Sequence, residues 1–102
     1  MRFGLKEASI KRINDVFSKH PQVERATLYG SRAKGNYKNG SDIDLTLYGQ
    51  NLSHQILLNI LGELDELLLP YKIDLSIFEK IDNPELIEHI QRAGISFYKK
   101  TQ

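Results

Sequence analysis

Apolar residues at Leu5, Ile10, Ile13, Val16 and Phe17 recur every three to four positions, which predicts an amphipathic helix over residues 5 to about 19. His20-Pro21 ends it, because the residue before a proline is pushed out of the helical region. Residues 25–29 include the β-formers Thr27 and Tyr29 and stop at Gly30, the mark of a short first strand. Glycine, asparagine and basic residues fill 32–41, which suits a loop with room for one helical turn after Ser31. Residues 43–48 alternate apolar and polar, a second strand with Ile43, Leu45 and Leu47 on its buried face. Helical spacing returns after Leu52: Ser53 is the expected N-cap, Ile56, Ile60, Leu61, Leu64, Leu67 and Leu68 form the stripe, and Pro70 closes it. Residues 72–78 repeat the alternation, with Ile73, Leu75 and Ile77 inward and Asp74 and Ser76 on the other face. Asn83-Pro84 opens a last helix as cap and first residue, and Leu86, Ile87 and Ile90 supply its apolar side before Gly94. The predicted order is helix, strand, strand, helix, strand, helix, a compact α+β domain.

Length and composition narrow what such a domain can do. A chain of 102 residues holds one core and little more, so residues 1–102 are expected to form a single domain whose substrate is presented by a partner. The formal net charge is +1 with acids and bases interspersed, which predicts no strong nucleic-acid binding and argues against a processive polymerase. The lack of cysteine excludes disulfides and thiolate metal sites, and residues 1–12 contain no signal-like apolar run. Residues 56–69, the richest apolar stretch, are too short and too charged to cross a bilayer, so a cytoplasmic protein with no membrane contact is expected.

Candidate chemistry begins with the strands. Aspartate is disfavoured inside β-structure, yet both alternating runs carry one in mid-run. Residues two apart on a strand point the same way, so Asp42 and Asp44 project together with α-carbons roughly 6.6 Å apart. If the third strand lies about 4.8 Å beside the second, Asp74 joins them. Three carboxylates without histidine or cysteine make a hard oxygen site suited to Mg²⁺ or Mn²⁺. Any one of these aspartates alone reads rather as an exposed turn or sheet residue, and only together with what precedes them do they read as a site. Before them stands Gly30-Ser31-Arg32-Ala33-Lys34-Gly35, directly after a strand. Gly30 permits a sharp turn and close backbone approach, Ser31 offers a hydroxyl, and the amides that follow can face an anion. Arg32 and Lys34 add charge for triphosphate oxygens. The segment is neither a Walker A loop nor a dinucleotide fingerprint. His20, His54 and His89 share no metal-ligand spacing and read as surface or packing residues, Tyr37 is the one tyrosine placed near a base, and Leu57 and Leu58 exceed the main stripe of their helix.

Gly30-Ser31, ten intervening residues, Asp42-Ile43-Asp44 and then Asp74 resemble the nucleotidyltransferase superfamily that shares the DNA polymerase β palm. Residues 28–35 with 41–45, Leu-Tyr-Gly-Ser-Arg-Ala-Lys-Gly and Ser-Asp-Ile-Asp-Leu, are similar to the minimal nucleotidyltransferases of prokaryotes, of the type that serves as antitoxin to HEPN-domain toxins. The resemblance implies a palm-like fold with a small mixed sheet of about three strands flanked by helices. It implies ATP as donor, Mg²⁺ as cofactor, Asp42, Asp44 and Asp74 as catalytic metal ligands, and Gly30, Ser31, Arg32 and Lys34 at the phosphates. It further implies transfer of AMP to a tyrosine hydroxyl of a HEPN toxin. A small-molecule acceptor such as an aminoglycoside, or an antitoxin that only occludes its partner, are the competing readings.

Overall fold

The computed structural model describes residues 1–101. Its elements are α1 (Glu7–Ser18), β1 (Arg25–Tyr29), α2 (Ser31–Lys34), β2 (Ile43–Tyr48), α3 (His54–Asp65), β3 (Ile73–Ile77), a 3₁₀ turn (Phe78–Lys80), α4 (Pro84–Ala93) and β4 (Ile95–Lys99). The strands form one mixed sheet in the order β3-β2-β1-β4. β1 runs antiparallel to both β2 and β4, while β2 and β3 are parallel. A parallel pair cannot be closed by a hairpin, and α3 supplies the crossover.

The caps act as the sequence suggests. The Ser53 side chain accepts from the Ile56 amide at 3.2 Å, and Asn83 accepts from Glu85 and Leu86 ahead of Pro84. Alternation then sorts each strand onto two faces. Ala26, Leu28, Ile43, Leu45, Leu47 and Leu75 bury one face against Ile10, Ile13 and Phe17 of α1 and Ile60 and Leu64 of α3. The other face carries Tyr29, Asp44, Asp74, Thr27, Thr46 and Ser76, and α4 packs there against β1 through Ile90. α4 can approach closely because Gly94 has no side chain: a Cβ there would run into the Ile90 carbonyl and the Thr27 methyl.

Two expectations are corrected. The sheet has four strands rather than three, since Ile95–Lys99 pairs with β1 through a register shift at Ala26/Thr27. The third helix stops at Asp65 instead of running to Pro70, and Leu68, expected in its stripe, has a φ of 55° and is 88% exposed. Among the described residues no helix is long and apolar enough to cross a membrane.

Candidate active site

The β1–β2–β3 register aligns Tyr29, Asp44 and Asp74 in one row across the polar face, with Thr27, Thr46 and Ser76 near the row below. Asp42 precedes β2 by one residue and is exposed, as is Asp74, while Asp44 between them is half-buried. Burial pushes the Asp44 carboxyl above the ordinary aspartate range, and the charges of Asp74 and Asp42 push it further, with Arg32 opposing. Tyr29, only 8% exposed, is raised too, chiefly by burial and then, against a hydrogen bond to Ser76, by the charges of Asp74 and Asp44. Asp44 therefore lies within electrostatic reach of both Asp42 and Asp74.

Gly30 adjoins this row. Its φ of 77° favours glycine, and a Cβ on it would strike the Asp44 carboxylate. It caps α2, whose first helical bond is Lys34 N–H to Gly30 O at 3.1 Å, so the amides of Ser31, Arg32 and Ala33 precede any intrahelical bond. Gly35 closes the turn at φ 86° with its N–H on Ser31 O.

Arg32, expected at the phosphates, has a different position. It is 3% exposed, its Nε and Nη2 donate to Ser41 O at 3.2 and 2.8 Å, and its Nη1 donates to Phe3 O at 2.8 Å. The guanidinium also lies 4.8 Å from the Tyr71 ring centre and 5.3 Å from that of Tyr37. With its donors engaged on carbonyls, it ties the N-terminal segment and the residue before Asp42 to α2. Lys34 is exposed and makes no ion pair among the described residues. Tyr37, at 36% exposure, packs over Gly4 and Arg32.

His89, expected to be a surface or packing residue, reaches the end of this row. Its Nε2 accepts the Gly30 N–H at 3.2 Å, and its ring meets that of Tyr29 edge-on at 78° with centroids 6.1 Å apart. Only the placement of α4 over the end of β1 brings it there; nothing in its local sequence signals it.

The fit to a divalent cation rests on the donor set. Hard carboxylates share one face, and the central one is disfavoured as an anion first by burial and then by its neighbours' charge, the part a cation would relieve. Among the described residues no three histidine, aspartate or glutamate side chains are gathered tightly enough to enclose an ion as they stand. A surface cavity of about 600 Å³, lined by Arg25, Tyr48 and Lys99, lies at the opposite end of β1 and β2 from the aspartates.

Comparison with known proteins bears on this geometry. A chain of a toxin–antitoxin complex solved with AMP-PNP superposes with a TM-score of 0.71 at 20% identity, over 96% of this chain and 77% of that one. A chain of the toxin–antitoxin MntA-HepT gives 0.69 at 15% identity, over 93% and 74%. A chain of the tri-AMPylated Shewanella oneidensis HEPN toxin in complex with MNT antitoxin gives 0.69 at 15%, over 94% and 74%. At these identities the shared property is the fold. No curated protein matches. The family model for polymerase beta nucleotidyltransferases matches residues 11–102, and with nearly the whole length covered this chain belongs to the polymerase beta nucleotidyltransferase family.

Proposed function

We propose that this chain is a Mg²⁺-dependent enzyme that transfers AMP from ATP to a tyrosine hydroxyl of a HEPN-type toxin and thereby acts as its antitoxin, in the cytoplasm. The observation that carries the reading is Asp44 paired with Asp74 on one sheet face, with Asp42 one residue before β2 and Gly30 against Asp44. The solved complexes with AMP-PNP and with a tri-AMPylated toxin support ATP as donor and a toxin protein as acceptor.

The acceptor oxygen forms a bond to the α-phosphorus as the α–β bridging bond breaks, pyrophosphate leaves, and the hydroxyl proton passes to the exposed Asp74 carboxylate or to water. Asp42, Asp44 and Asp74 would hold the divalent ions, which when bound carry the triphosphate and lower the pKa of the attacking hydroxyl. The amides of Ser31, Arg32 and Ala33 would face the β and γ phosphates, with exposed Lys34 close by. Gly30 lets the turn come that near to Asp44. Arg32 fixes the carbonyl before Asp42 and so the direction in which that carboxylate leaves the loop.

The test is to incubate the protein with Mg²⁺, each nucleoside triphosphate and the product of the neighbouring open reading frame, and to weigh the intact proteins. One or more AMP increments on a tyrosine of the neighbour, absent with Asp42→Asn, are expected. A stable complex with no increment from any triphosphate would replace catalysis by occlusion.

A further inference from the structure

We infer that His89 is a positioning residue for the phosphate-facing turn: it holds the Gly30 amide, and through Gly30 it fixes that turn against Asp44. The inference rests on the triphosphate reading above, and it concerns how the turn is kept in shape.

Glycine has the widest backbone freedom of any residue and no side chain with which to lock itself. At Gly30 that freedom is needed, because φ is 77° and a Cβ would collide with the Asp44 carboxylate. A turn hinged on such a residue needs to be held from outside. His89 supplies the hold, its Nε2 accepting the Gly30 N–H at 3.2 Å. That bond requires a neutral ring with its proton on Nδ1. Gly30 is thus bounded on two sides, with His89 on its amide and the Asp44 carboxylate where a side chain would stand.

The holding group is itself well anchored. His89 adjoins Ile90, which is 2% exposed, and α4 sits on β1 where Gly94 meets Thr27. Asn83 caps the other end of the helix, and the His89 ring rests edge-on against Tyr29, the row neighbour of Asp44. If the amide were released, the Tyr29–Gly30 peptide could rotate, and the direction of the following Ser31 amide would change with it. His89 acts on the nucleotide through Gly30, without touching the reacting atoms.

Three variants separate this from simple packing. His89→Phe keeps a ring against Tyr29 and cannot accept; His89→Asn is polar but too short to reach Gly30; His89→Gln keeps an acceptor at similar reach. Binding of Mg²⁺-ATP is read by displacement of a fluorescent ATP analogue, which needs no acceptor protein, and the Gly30 amide resonance is followed by NMR without nucleotide. Phe and Asn are expected to weaken ATP binding about five- to tenfold, the effect of one hydrogen bond. Both should shift the Gly30 resonance, with Gln close to wild type in both measurements. In transfer assays the loss should fall on KM for ATP, with kcat changed less than about threefold. Equal behaviour of Phe, Asn and Gln, or unaltered binding in folded Phe and Asn variants, would overturn the inference and leave the transferase reading standing. A wild-type protein that binds no triphosphate would remove that reading, and the inference with it.

Discussion

Asp44 carries a cost to the fold at the position proposed for a metal ligand. Its carboxyl is raised by burial first and by Asp74 and Asp42 next, so its folded-state pKa lies above the unfolded one. Between those two values the folded chain binds more protons than the unfolded chain, and stability falls as pH rises through that window. Above it the penalty remains in full. Asp44→Asn is therefore expected to raise the melting temperature at neutral pH and flatten its fall from acid to neutral, while abolishing transfer. Thermal melts across pH together with the mass assay check both, and a variant that melts lower than wild type at neutral pH would contradict the penalty on the Asp44 charge. Mg²⁺ should raise the melting temperature of wild type and do so much less for Asp44→Asn, because the charge it would neutralise is gone. Arg32 presents the opposite case. Arg32→Ala leaves the Ser41 and Phe3 carbonyls without their donor, and a loss of about 2 kcal/mol in urea unfolding is expected. Asp44 and Asp74 were legible in the sequence because a carboxylate in mid-strand breaks a local rule. Arg32 was not, since a basic residue beside a glycine turn reads the same whether it faces a phosphate or a backbone carbonyl.

At the scale of elements, legibility followed how completely a segment's burial is written into its own residues. β2 shows buried positions at Ile43, Leu45 and Leu47, and its limits agree with the alternation. The Asp44↔Asp74 pairing also follows from the repeated Ile-Asp-Leu once β3 is laid parallel to β2. β4 offers no such pattern: of Ile95–Lys99 only Phe97 is buried, Ile95 is 37% exposed, and its pairing with β1 is made by backbone bonds across a register shift. α3 misleads in the other direction, as Leu67 and Leu68 continue its apolar stripe after the chain has left the helix. His89 became part of the site only through the packing of α4 on β1. Phe97 is then the residue that anchors β4. It is 6% exposed and lies 6.1 Å from the Phe3 ring, so Phe97→Ala is expected to cost about 3 kcal/mol or more in urea unfolding. A cost well under half of that would mean that β4 is held chiefly by its ladder bonds to β1, the Tyr98–Phe17 contact and the Asn14 bond to the Phe97 carbonyl.

For the whole molecule, what matters is how little of it covers the reacting end. The polar face is roofed by α4 over β1, whereas Asp42 and Asp74 stand exposed beside the Gly30 turn. The cavity of about 600 Å³ lies at the far end of the strands. An open site leaves water at the proposed metal ligands and gives a small acceptor nothing to hold it in line with the leaving group, and such alignment can contribute about 7 kcal/mol or more to catalysis. A folded partner that docks on this face would supply both missing functions. It would exclude solvent and present its hydroxyl at a fixed distance. Transfer to the partner protein is therefore expected to exceed transfer to a small tyrosine derivative such as tyrosinamide by at least about a thousandfold in kcat/KM, with only slow release of AMP to water. Parallel assays with labelled ATP, Mg²⁺ and each acceptor measure the ratio. A derivative that serves as well as the partner would move the acceptor to the small-molecule class and show that the exposed face needs no protein to complete it.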